Sequence, residues 1–130
     1  MILTDKPNYV IEHTGRGIYF VVPRGKFTAA TLDEFRADSW PHLERLAPVL
    51  YMNDVSQIGD ASLSDQWMLA KLMRAQAHLI KRSAVYGVSP AKRIILGAVL
   101  RAAGRDNVRV VEGREQAERY LLEGDGAASP

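Results

Sequence analysis

Apolar residues first gather in two short runs, Tyr9 to Thr14 (YVIEHT) and Ile18 to Pro23 (IYFVVP), each the length and composition of a strand. Gly15-Arg16-Gly17 lies between them, and glycine enters the positive backbone angles of a tight hairpin at little cost, so the two strands are expected to run antiparallel. This G-x-G opens a strand and lacks a third glycine, so it is not a dinucleotide fingerprint.

The period then changes to that of helices. Thr31 to Leu46 places Leu32, Phe35, Leu43 and Leu46 at helical spacing, with Thr31 as N-cap, Asp33 and Glu34 near the start and Pro41 as a kink or split. Val49 to Val55 (VLYMNDV) is a nearly unbroken apolar run, the mark of a buried strand, ending at the polar pair Asn53-Asp54. From Ser64 to Arg82, Met68, Leu72, Ala75 and Leu79 form one helical stripe, widened by Leu69, Met73 and Ile80. Trp67, Lys71, Arg74, His78 and Lys81 fall on the opposite face. Ser83 to Val88 is a further strand. Ser89-Pro90 starts a helix by joining an N-cap to a proline at the first helical position, and Gly104 ends it after Ala103. Its expected buried stripe is Ile94, Ile95, Ala98, Val99 and Ala102. Val108 to Val111 and Arg114 to Leu122 complete the pattern as a short strand and a last helix, with Ala117, Tyr120 and Leu121 facing inward.

The order β-β-α-β-α-β-α-β-α predicts one α/β domain over residues 1–123. Its sheet is expected to be mostly parallel and five-stranded, with an N-terminal antiparallel hairpin strand and about four helices. Residues 124–130 are small and polar and read as a flexible C-terminal tail.

Composition narrows the function classes. The 130 residues, 47% apolar and 25% charged, suit one globular unit. The chain has no cysteine, which excludes disulfides, a thiol nucleophile, Cys-held zinc and iron–sulfur clusters. MILTDKPNYV lacks the basic and long apolar regions of a secretory signal, and no apolar run approaches the ~20 residues that span a bilayer. A cytoplasmic protein without a transmembrane segment is expected.

Charge is unevenly spread. Residues 1–70 carry 6 Lys/Arg against 9 Asp/Glu, residues 71–109 carry 9 against 1, and residues 110–130 carry 2 against 5. Nucleic acid, an anionic membrane surface or an acidic partner would suit the basic middle segment, and solvated helix faces are the plainer account. Its charges spread over two helices and a strand with no reader motif, so specific nucleic-acid binding is not expected.

Catalytic constellations are sparse. His13, His42 and His78 have no second ligand at i+3 or i+4, so no metal is expected. Ser89-Pro90-Ala91-Lys92 spells S-x-x-K, but its companion motifs are missing and helix capping accounts for Ser89. There is no G-x-S-x-G elbow and no phosphate loop. Asp54, Asp60 and Asp65 cluster after the central strand, where helix capping explains acids as well as acid–base chemistry does. No enzyme activity and no cofactor are expected.

Geometry supplies the remaining candidate. Open α/β sheets bind ligands beyond the carboxyl ends of their parallel strands, where helix N-termini gather free N–H groups. The residues leaving those ends are Arg24, Asn53, Asp54, Asp60, Ser89, Lys92 and Arg93, a set suited to an anionic ligand or partner. The helix over 90–103 also carries Leu96 and Leu100 away from the face made by Ile94, Ala98 and Val99. Such surplus apolar surface predicts a homodimer.

The hairpin followed by three α-β units, with the strand VLYMNDV, the helix entry Gly59-Asp60-Ala61-Ser62-Leu63, the strand KRSAVYGV and the terminal helix REQAERYLLEG, resembles the STAS domains of anti-sigma-factor antagonists. It is more similar still to small bacterial STAS/Sec14-like proteins, over roughly residues 8–123. The resemblance implies a non-enzymatic regulatory or protein-interaction module whose partner is a kinase or an anti-sigma-like regulator. It also implies a phosphoacceptor serine at the entry to the helix, which is Ser62. Ala61 stands where that turn carries a hydroxyl and no glycine follows Ser62, so Ser64 is a second candidate. The Sec14-like side of the resemblance implies an alternative, a small-ligand or lipid-binding carrier.

Overall fold

Six strands lie side by side in the order in which the chain makes them: β1 (Ile2–Lys6), β2 (Tyr9–His13), β3 (Ile18–Pro23), β4 (Val49–Asp54), β5 (Ile80–Tyr86) and β6 (Val108–Val110). The computed structural model describes residues 1–60 and 62–124. β1, β2 and β3 pair antiparallel, and β3 to β6 pair parallel. The parallel crossovers carry α1 (Ala29–Leu46), α2 (Leu63–Ala75) and α3 (Pro90–Ala103), and α4 (Arg114–Glu123) follows β6.

A right-handed crossover sets its helix on one side of the sheet for a given direction of travel. Every parallel step here goes the same way, so α1, α2 and α3 share a face. Tyr9, Tyr19, Val21 and Tyr51 of the sheet pack under Leu32, Phe35 and Leu43 of α1 and Leu72 of α2. The alternate residues Ile18, Phe20, Met52 and Ala84 point to the other face, where Ala117, Tyr120 and Leu121 of α4 cover them. α3 leans on α2, with Val99 and Ala103 buried against Ala70. The α/β class and helix number are as expected.

The expected five-stranded sheet is corrected to six. ILTDK lacks a clear apolar alternation, and it becomes a strand by pairing along β2, with Lys6 opposite Tyr9. An edge strand needs only one partner and no buried face, so composition signals it weakly. α1 is capped by Thr28, whose hydroxyl accepts the Thr31 N–H at 3.3 Å, rather than by Thr31. Asp33 and Glu34 therefore lie beyond its first turn. Pro41 does not split it. The hydrogen bond Pro41 cannot make belongs to the Ala37 carbonyl, on an exposed face of the helix where the loss costs least.

The helix expected to run to Arg82 ends at Ala75, and a 3₁₀ turn over Ala77–Leu79 leads into β5 at Ile80. Leu79 and Ile80 are buried as the helical stripe required, but Ile80 is held by pairing with Val49 of β4. In α3, Ile94 and Ile95 face solvent instead of the core, and Val99 and Ala103 take the buried positions. Of the expected tail, residues 125–130 lie outside the described residues.

Candidate functional site

The sequence-derived residues meet at the carboxyl end of β3, β4 and β5, where three loops are stitched together. Gly25, just after β3, donates its N–H to the Gln57 carbonyl at 2.9 Å and accepts the Gly59 N–H at 2.7 Å. A Cβ on Gly59 would lie 3.2 Å from the Gly25 carbonyl carbon, so any side chain there would push the Gly25 backbone back by a few tenths of an ångström. The Lys92 ammonium donates to the Ile58 carbonyl and fastens α3 to the same loop. Gly87 leaves β5 with φ +81°, and a Cβ there would meet the Ser56 nitrogen at 2.8 Å.

These contacts employ several of the predicted residues internally. Asp54 Oδ1 accepts the Ser56 N–H at 3.0 Å and the Ser56 hydroxyl at 2.7 Å, so the carboxylate shapes its own turn. Ser62 caps α2: its hydroxyl accepts the Asp65 N–H at 3.1 Å, and Asp65 Oδ2 accepts the Ser62 N–H at 3.4 Å. Ser89 caps α3 by accepting the Lys92 N–H at 3.3 Å. With its ammonium on the Ile58 carbonyl, Lys92 forms no serine–amine couple with Ser89. Asn53 is half-buried and turns toward the interior. Asp60, Ser64 and Arg93 are exposed and Arg24 is half-buried. Neither Arg24 nor Arg93 is ion-paired among the described residues.

The strand-end argument needs one correction. A binding crevice opens where the strand order of a parallel sheet reverses, and in this sheet it never does. The edge is therefore a surface and not a cleft.

What that surface offers is apolar. Leu63 is 71% exposed, Trp67 57%, Ile94 76% and Ile95 40%. A shallow groove between α2 and α3 runs past Leu63 and Trp67 over the small residues Ala70, Ala98 and Ala102. Lys71, Arg93 and Arg101 are exposed on the same two helices, whose only acid is the capping Asp65. Sequence reasoning did not select Leu63, Ile94 or Ile95, because helical periodicity sent the isoleucines inward. The available signal was Trp67, a large aromatic on the polar face of its helix.

Among the described residues no group of three His, Asp or Glu side chains gathers as a metal site, and no helix is long and apolar enough to cross a membrane. His42 Nδ1 lies 3.2 Å from an Arg45 nitrogen on α1, away from the edge.

No family model matches the chain, and no curated protein matches it. Several solved structures are similar to it, these two among them. One is an uncharacterized protein of the DUF3478 family with a SpoIIAA-like fold from Shewanella loihica PV-4, 18% identical over 85% of this chain and 90% of that one, with a TM-score of 0.63. The other is the anti-sigma factor antagonist SpoIIAA in its unphosphorylated form, 14% identical over 90% of this chain and 99% of that one, with a TM-score of 0.60. The fold is STAS-like, of the SpoIIAA type, as the sequence resemblance implied.

Proposed function

With a SpoIIAA-like fold as the premise, we propose that this chain is a non-enzymatic regulatory module that acts by protein contact in the cytoplasm. The observation that supports it best is the exposed set Leu63, Trp67 and Ile94 beside the two serines that open α2. Large apolar side chains left in water, on two helices whose exposed charges are nearly all positive, mark a surface that a partner covers. The partner chemistry that fits is an apolar patch bordered by carboxylates, as on a kinase or an anti-sigma-like regulator of the kind that an anti-sigma factor antagonist opposes. Leu63 and Trp67 on α2 meet that partner. Ile94 and Ile95 on α3 serve a second copy of the chain.

The reading includes a phosphoryl switch at Ser62 or Ser64. A phosphate adds about −2 charge and is tolerated at a helix N-terminus, yet it repels an acidic partner. The two hydroxyls differ. Ser62 already caps α2, and a phosphate on it would crowd the Asp65 carboxylate, whereas the Ser64 hydroxyl is exposed and outside the capping box.

Purification of the protein from its own cells, wild type beside Leu63→Ala/Trp67→Ala, tests the reading. A defined partner that co-purifies with the wild type alone, with phosphate on Ser62 or Ser64 in the unbound fraction, is the expected result. An unchanged set of partners with both serines unmodified would overturn it.

A further inference from the structure

Between the sheet and the α1–α3 layer lies a cavity of about 100 Å³. Val21, Phe35, Leu72, Val85 and Leu96 give it apolar walls, and at one end stand Gln76, Ser83 and Arg105. Gln76 bonds the buried Tyr51 hydroxyl. Among the described residues lining the cavity, Arg105 alone carries a charge.

Arg105 is held in place by neutral acceptors. Its guanidinium donates to Ser83 Oγ at 3.0 Å, to Asn107 Oδ1 at 3.0 Å and to the Met73 carbonyl at 3.4 Å. Among the described residues the remaining N–H groups are bonded to no acceptor, and no carboxylate pairs with the group. Asp106 attracts it from the next position but is exposed and not bonded to it. Burial pulls the Arg105 guanidinium below its ordinary range, the direction expected when a cation leaves water without a counter-ion. Arg105 is half-buried, and a cation partly withdrawn from water is stabilised when an anion joins it.

We propose that this cavity binds a small monocarboxylate, with the apolar body between the sheet and α2–α3 and the carboxylate on Arg105. Volume sets the size. An engineered apolar cavity of about 150 Å³ holds benzene and this one is smaller, so the body is a short alkyl chain. A long acyl chain does not fit, which removes a lipid carrier from the cavity's range. The guanidinium sets the head group, because its parallel N–H donors match the two oxygens of a carboxylate. The site is separate from the α2–α3 edge, and the proposal does not depend on the regulatory reading.

Butyrate and valerate, each compared with its alcohol (butan-1-ol and pentan-1-ol), are the probes, followed by NMR titration of the full chain. Each acid is expected to bind saturably and about tenfold or more tighter than its alcohol, the factor that a charge-assisted hydrogen bond brings. Arg105→Met should bring acid and alcohol to equal affinity. Leu96→Phe fills the cavity from α3 without touching the guanidinium, and should abolish binding of both while the fold persists. Trp67→Ala should leave both affinities unchanged. Absence of saturable binding to the wild type, equal affinity for acid and alcohol, or acid binding that survives Leu96→Phe would each overturn the proposal.

Discussion

Helix α1 turns Leu32, Phe35 and Leu43 into the core and hands its acids Glu34 and Asp38 to Lys6 of β1, at 3.0 and 2.7 Å. Helix α3, on the same face of the same sheet, leaves Ile94 and Ile95 in water and carries Arg93 without an ion pair among the described residues. Both helices read alike as amphipathic stretches, yet one surface is finished and the other is not. Fully burying an isoleucine is worth about 1.5–3 kcal/mol, so α3 holds in reserve what α1 has already spent on folding. Unspent apolar surface next to unpaired charge is what the proposed interface draws on.

The contrast is broken most severely in the core. Leu43→Ala, at a fully buried position of α1, should cost about 2–5 kcal/mol in urea unfolding. Ile94→Ala on α3 should stay within about 0.5 kcal/mol, and an equal loss at the two sites would mean that α3 is not an unfinished surface. Gly87→Ala comes next. It forces a side chain into the left-handed region and against Ser56, and should cost roughly 1–3 kcal/mol although Gly87 itself is exposed.

Smaller effects sharpen the site. Ser62→Ala should cost about 1 kcal/mol through loss of the α2 cap, while Ser64→Ala should be close to neutral. The difference, read from melting curves, separates the structural serine from the free one.

The ion cluster under α1 adds a pH signature that α3 lacks. Hydrogen bonds from Lys6 and then Tyr9 hold the Asp38 carboxyl below its ordinary value of 3.8. The stability it contributes is present above that value and is lost as pH falls through the lower folded pKa. Burial pushes the Tyr19 hydroxyl from 10.0 up to about 12, so the matching contribution is complete below pH 10 and is lost as pH rises toward 12. Unfolding measured across pH in the wild type and in Asp38→Asn should show the acid limb weakened and the alkaline limb altered as well, because the Asp38 carboxylate also raises the Lys6 ammonium and the Tyr9 hydroxyl.

The smallest effect distinguishes the two basic helices. Arg93→Glu places a negative charge in the early turns of α3 and should raise stability by a few tenths of a kcal/mol. Arg74→Glu should lower stability, because the Arg74 guanidinium donates to the Ala102 carbonyl and ties α2 to α3. A loss of partner binding in Arg93→Glu without any loss of stability would overturn the placement of the partner on α2 and move its interface to α3.

Local signals read correctly wherever one short stretch contains its own cause. Ile18–Pro23 is the strand expected, Ser89-Pro90 starts α3 at the predicted residue, and Gly104 ends it with φ +66°. The STAS-like order of elements followed from such signals. Positions whose fate depends on a distant neighbour were not legible. Leu79 and Ile80 continue a helical stripe and become turn and strand because Val49 offers β5 a pairing partner.

Sequence alone therefore determined five of the six strands, the four helices, their order and the serine that caps α3, because turns, caps and apolar periods are short-range physics. Tertiary structure alone decided three further things. It recruited Ile2–Lys6 as a sixth strand by hydrogen bonding to β2. It turned Ile94 and Ile95 outward, since α3 leans on α2 and buries only one narrow stripe of its surface. It also set Arg105 into an apolar cavity walled by residues as far apart in the chain as Val21 and Val108. Such a site has no local signature, because the cost of a desolvated charge depends on every segment that excludes water from it.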